Sequence, residues 1–418
     1  MSIKIKKIFA NQIFDSRGTP TVEAYVVLES GVIASASVPS GASTGQYEAC
    51  ELRDGEEPFS GKGVLRACTN VNTVIADLLV GKKADDLYLL DHIMINEDGS
   101  ANKSNLGANA ILAVSLACAK ASALHYKLPL YKYLGGTNAN TMPVPMMNII
   151  NGGAHAENNL DIQEFMIIPS NFTSFTLAMQ ASVEVYHNLK KLLHEEHLSV
   201  SVGDEGGFAP DLKNEEHALE LICKAIEITG YTPGVDMFIA LDVASSEWAT
   251  GTNYIMPKKG QTHDSDSLSR IYYNLTSKYP IVSIEDPFSE NDWSSFTKFT
   301  KDNPNIQIVG DDLFVTNIER LKIGIIEKAA NAILIKPNQI GSLSETLDVI
   351  KHAQQNGYKT IISHRSGETT DTYIADIAVA TNAGQIKAGA PARGERVAKY
   401  NRLIRIEHSL YGKGLYGN

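Results

Sequence analysis

The sequence predicts an α/β chain in two unequal parts: a small α+β unit over residues 1–136, then a (β/α) barrel over 137–418. Length is the first reason, since 418 residues exceed the roughly 150 typical of one domain. A change of pattern is the second. Early segments alternate like half-buried strands, whereas beyond about residue 230 short apolar runs each end in one polar or ionisable residue and lead into a helical stretch. The third is spacing. Those ends, Asp242, Glu285, Asp311, Lys336, His364 and Lys387, fall 23 to 43 residues apart, enough for a strand, a helix and two loops.

In the first part, Ser2-Ile-Lys-Ile-Lys and Pro20-Thr-Val-Glu-Ala-Tyr-Val-Val-Leu read as strands. Ser104 is placed to cap a helix running through Ala123, and Leu134-Gly-Gly-Thr marks the boundary. Between strand and helix, Ser40-Gly-Ala-Ser-Thr-Gly45 has the small residues of a mobile cover. It lacks the Gly-Lys-Ser/Thr ending of a nucleotide phosphate loop. In the second part, parallel strands ending in chargeable groups favour a barrel, whose reactive groups sit at the carboxyl ends of its strands. An open doubly wound sheet is disfavoured because it binds ligands at a switch point between a few strands, and no glycine fingerprint for a dinucleotide is present.

Composition narrows the function. Lys and Arg number 37 against 48 Asp and Glu, a net charge of −11 that repels polyanions and makes nucleic acid an unfavoured main partner. An anionic substrate therefore needs a local cationic cluster or bound metal. The four cysteines, Cys50, Cys68, Cys118 and Cys223, form no C-x-x-C pair and suit a reducing cytoplasm. The most apolar stretch, Ala108 to Ala119, is too short to span a bilayer, so no membrane partner is expected.

Asp242, Glu285 and Asp311 are three carboxylates expected around one barrel mouth. Singly, each could cap a helix or pair with a lysine. Together they require shared protons or a cation, and an all-oxygen set suits a hard ion such as Mg2+. Lys336, His364-Arg365-Ser366 and Lys387 form a cationic arc opposite them, with Arg365 offering a planar fork to phosphate or carboxylate. Lys336 leaves its strand abruptly at Pro337. Near metals and Lys387 its pKa is expected to fall, which suits a general base and equally a Schiff-base nucleophile. Gln163-Glu164 and Asp204-Glu205-Gly-Gly supply two further acids, although the second also reads as a solvated turn. His155, in a glycine-rich loop, reads as an exposed or merely satisfied histidine.

Across nearly its whole length the chain resembles the enolase family, the phosphopyruvate hydratases of glycolysis and gluconeogenesis. The most specific stretch is Ile333-Leu-Ile-Lys336-Pro-Asn-Gln-Ile-Gly-Ser-Leu-Ser-Glu-Thr346. Asp15-Ser-Arg-Gly, Ser40 to Gly45, Gly203-Asp-Glu-Gly-Gly-Phe-Ala-Pro210, Ser363-His-Arg-Ser-Gly-Glu-Thr369 and Gln385-Ile-Lys-Ala-Gly-Ala-Pro391 support it. The resemblance implies a (β/α)8-type barrel whose first two strands are atypically antiparallel. It implies that Lys336 is the base and Glu205 the acid with Glu164 beside it. Asp242, Glu285 and Asp311 would hold one Mg2+, and Ser43 would help bind a second when substrate is present. Gln163, Glu164, His155, Lys336, His364, Arg365, Ser366 and Lys387 would contact the substrate.

The implied reaction converts 2-phospho-D-glycerate to phosphoenolpyruvate, with Mg2+ stabilising an enediolate. A homodimer or octamer is implied too, as are the surface, RNA-processing and lens roles to which such proteins are recruited. Gly394, Trp248 and the short segment from Thr250 to Ile255 depart from the family pattern, away from every proposed ligand. Rival readings are another superfamily lyase acting on an unphosphorylated acid, an aldolase-type lysine enzyme, and a binding or scaffold protein.

Overall fold

A computed structural model describes residues 2–41, 45–55 and 57–417. Ser43 lies outside the described residues. The chain opens with an antiparallel meander of strands Ile5–Phe14, Pro20–Leu28 and Ile33–Ser37. Its first hairpin is tight because the Asp15 carboxylate accepts the backbone N–H of Arg17 (2.8 Å) and Thr19 (2.9 Å), while Gly18 takes a left-handed φ of 72°. One face of the meander buries Val22, Ala24, Val26 and Leu28 against helix Ala108–His125.

That helix corrects two expectations. It starts at Ala108 with Gly107 before it, so Ser104 is not its cap; the Ser104 N–H instead meets Ser100 Oγ at 2.7 Å in the preceding turn. It also outruns the apolar stretch seen in the sequence. Its 18 residues are long and apolar enough to cross a membrane, yet most are buried in the domain core.

The eight barrel strands are Val144–Asn151, Glu164–Pro169, Met237–Asp242, Ile281–Glu285, Gln307–Gly310, Ala332–Ile335, Lys359–Ser363 and Gly384–Lys387. They close in chain order, the last pairing in parallel with the first. The first two strands are antiparallel to each other as implied, but only the second runs against the ring. This reversal brings the start of that strand, Gln163-Glu164, level with Asp242 at the mouth. Met146, Met166, Ile168, Ala240, Val309, Ala332, Leu334 and Ile361 fill the interior, so the barrel is a packed core.

Helices cover the outside, and the sequence fixes several of their starts. Ser174, Asn214, Asp264, Asp292, Asn317 and Ser342 each accept a backbone N–H from the first turn of the helix that follows. Helix Gly394–Ser409 closes the outer layer. The two parts of the chain meet near the mouth. Ser40 and Gly367 exchange backbone hydrogen bonds of 2.8 and 2.9 Å, which holds the start of the Ser40 to Gly45 loop beside Arg365-Ser366.

Candidate functional site

The carboxyl ends of the parallel strands gather the residues read from the sequence. Glu285 sits beside Asp242 in register, Asp311 and Lys336 follow directly on their strands, and Lys387 ends the last strand. Asp242, Asp311, Lys336 and Lys387 line one cavity of about 30 Å³ with Glu48, His155, Gln163, Glu164, Glu205, His364, Arg365 and Ser366, and Glu285 lies just behind it, 3.0 Å from the Lys387 ammonium. The cavity is narrow because its wall is built of side chains paired with one another.

Charge pairing explains the closure. The Lys387 ammonium lies 2.8 Å from Asp242, 3.0 Å from Glu285 and 3.1 Å from Glu164. Burial pushes its pKa down, but these carboxylates outweigh burial and hold it well above the usual lysine range. Lys336 donates to Asp311 Oδ2, and Gln339 Nε2 donates to Asp311 Oδ1 at 2.9 Å. The fall expected in the Lys336 pKa presupposes metal ions beside the amine; the protein's own charges act in the other direction. Burial and Arg365 push it down, whereas Asp311 and Glu285 push it up, and the net direction is up.

Asp242, Glu285 and Asp311 are neighbours, but they are not among the described acidic groups whose ligand atoms all lie within 4.8 Å of one another. Asp242 and Glu285 share the Lys387 ammonium, while Asp311 pairs with Lys336. Their chemistry still fits a hard cation. All three are buried oxygen donors, and burial, Asp242 and Asp311 all push the Glu285 carboxyl upward, well above the carboxylate range. The tighter cluster of Asp286, Asp311 and Asp312 serves the backbone. Asp286, at a positive φ of 42°, accepts the N–H of Asp311 (2.9 Å) and Asp312 (2.8 Å) and so orients the strand end.

Across the mouth, Glu164, Glu205 and His155 form a second buried group, with His155 Nδ1 3.7 Å from each carboxylate. His155 is thus enclosed and placed against acids, contrary to the reading of an exposed histidine. Burial and the charge of Glu205 hold Glu164 well above the carboxylate range. Burial opposes ionisation of Glu205 too, but His155, His364, Arg396 and Lys387 outweigh it and hold Glu205 well below that range. The surrounding charges thus push the two carboxyls in opposite directions, and the pair titrates as a unit. Asn148 donates to Glu205 at 3.1 Å, and Gln163 donates to Asp242 at 3.4 Å.

The Arg365-Ser366 segment is buried as well. Arg365 pairs its fork with Glu48 at 2.9 and 3.2 Å, and Nη1 also reaches Asn338 Oδ1 at 3.2 Å. Sequence reasoning missed Glu48, Asn148, Asp286 and Gln339. Of these, Gln339 lay inside a quoted motif and Asp286 directly follows the strand end at Glu285, whereas Glu48 and Asn148 sit at no strand end that would have marked them.

Residues 5–134 match the family model "Enolase, N-terminal domain", and residues 139–418 match "Enolase, C-terminal TIM barrel domain". An enolase of Natranaerobius thermophilus is 55% identical over 413 residues, covering 99% of this chain and 97% of that protein. With both parts matched and a relative this similar along nearly its entire length, the chain belongs to the enolase family.

Proposed function

We propose that the chain dehydrates 2-phospho-D-glycerate to phosphoenolpyruvate, with the family assignment as the first support. The observation that carries the reading is a buried mouth with a lysine base on one side and a carboxyl pair on the other. Arg365 and Ser366 take the phosphate and Lys387 a carboxylate, a set of donors that would be excessive for a neutral group. Lys336 Nζ, once Asp311 no longer accepts from it, removes the proton from the carbon next to the substrate carboxylate. The carbon–oxygen bond then breaks, and the Glu205–Glu164 pair gives its proton to the departing hydroxyl, which leaves as water.

Asp242, Glu285 and Asp311 would hold Mg2+, with Ser43 contributing to a second ion, and when bound the metal supplies positive charge against the extra negative charge on the substrate carboxylate. Gln163, His155 and His364 orient the substrate around the reacting carbons. The domain division at residue 136, a homodimer or octamer and a cytoplasmic location complete the reading. The four cysteines are all unbridged, which supports the last of these.

Adding 2-phosphoglycerate and Mg2+ should raise absorbance in the ultraviolet band of phosphoenolpyruvate, and a chelator should stop the rise. No signal, or a signal indifferent to the chelator, overturns the reading. Borohydride trapping of substrate on Lys336 would favour the Schiff-base alternative instead.

A further inference from the structure

Arg396 belongs to helix Gly394–Ser409, has no solvent-exposed surface and does not line the site cavity. Its guanidinium nevertheless reaches three parts of the site. Nη1 donates to Arg365 O at 2.6 Å and lies 2.5 Å from His364 Nδ1, while Nη2 donates to Ser366 O at 2.6 Å and Asp204 O at 3.0 Å. One side chain thus ties the Arg365-Ser366 segment to the loop that presents Glu205. Gly389 makes the approach available, because a Cβ there would lie 2.9 Å from Arg396 Cδ, 3.1 Å from His364 Cε1 and 2.8 Å from Glu205 O.

Arginine has only N–H donors and keeps its charge in proteins, so the short contact to His364 Nδ1 leaves that nitrogen one role, acceptor. The ring proton must then sit on Nε2. That nitrogen is buried, has no hydrogen-bond partner among the described residues and lies 3.6 Å from Glu205 Oε2. We propose that Arg396 is a positioning residue that fixes His364 as the Nε2–H tautomer aimed at Glu205, while holding the acid loop and the Arg365-Ser366 backbone in mutual register. Electrostatics agree, since burial, and then Arg396 and Lys387, push the His364 pKa down more strongly than Glu205 pushes it up, with Lys399 adding to the fall.

The proposal rests on the lyase reading for its catalytic consequence but not for its test. Selective 15N-histidine labelling of the full-length protein, with His364→Gln to assign the signal, reads the tautomer without turnover. Wild type should show a protonated Nε2 and an unprotonated Nδ1 from pH 5.5 to 8.5. A protonated Nδ1 in wild type overturns the assignment outright. Arg396→Gln and the milder Arg396→Lys should allow His364 to bind a proton within that range. They should add an acid limb to the pH profile of kcat and lower kcat by about 100-fold, the scale of a misplaced reacting group. Lysine should rescue little, because one ammonium cannot reproduce the planar fork. A folded Arg396→Lys protein with the wild-type pH profile and the wild-type His364 signals refutes the positioning role.

Discussion

Replacing Asp91 with Asn should change how stability depends on pH, by an amount that follows from its surroundings. Asp91 lies on helix Leu87–Asp98 with no exposed surface, at the junction between the two parts of the chain. Its Oδ2 accepts from Ser115 Oγ (2.9 Å) and from the backbone N–H of Ser344 (3.0 Å), whereas Oδ1 has no hydrogen-bond partner. Burial pushes its pKa from 3.8 up to about 6, against those two hydrogen bonds. Folding therefore favours the protonated form. The stabilisation from this group is complete below the unfolded pKa and is lost as pH rises through the folded one. A rise of that size corresponds to about 3 kcal/mol, of which about 2 kcal/mol is lost between pH 4.5 and 7.5. Asn keeps an acceptor for Ser115 and Ser344 but does not titrate. Its amide hydrogens, placed where Oδ1 was, cost a roughly constant 1–3 kcal/mol at every pH. The quantity to follow is thus the difference between variant and wild type, measured by denaturant unfolding at several pH values. It should move in favour of Asp91→Asn by about 2 kcal/mol from pH 4.5 to 7.5. A difference constant to within about 0.5 kcal/mol across that range refutes the argument, whatever its sign.

Other outcomes follow from the site and the helix caps. Lys336→Ala should lower kcat by about 100- to 10,000-fold, the range of one general acid–base group, in the protein that remains folded. Chelation should abolish turnover and added Mg2+ restore it, and Asp242→Asn should raise the Mg2+ concentration needed for half-maximal rate. Ser342→Ala removes the acceptor for Glu345 N–H at the start of helix Leu343–Gln355 and should cost about 1 kcal/mol in unfolding free energy.

The sequence made the barrel legible because its strands finish in reactive groups. An apolar run that terminates in Asp, Glu, Lys or His is a local pattern, and six of these ends lie where expected, at one mouth. Partners supplied from elsewhere in the chain were not legible. Glu48 reaches Arg365 across 317 residues and Arg396 reaches Asp204 across 192, and no spacing rule connects them. Ser104 misled because a serine ahead of an apolar run resembles a cap, while the chain makes a further turn before Gly107 opens the helix. The direct partner of Lys336 was not legible for a related reason. Position on a strand places the amine near Lys387, but only the folded geometry shows that Asp311 is its direct partner. The reversed second strand likewise follows from pairing and not from its own residues, yet it is what delivers Glu164 to the site.

The division of labour between Lys336 and the carboxyl pair is tested most directly by following exchange of the substrate's C2 hydrogen with deuterium from solvent in Glu205→Gln and Lys336→Ala. If Lys336 removes that hydrogen and Glu205 serves only the later loss of hydroxide, the Glu205 variant should still exchange it while forming little phosphoenolpyruvate, and the Lys336 variant should do neither. Exchange that persists without Lys336 would contradict the account.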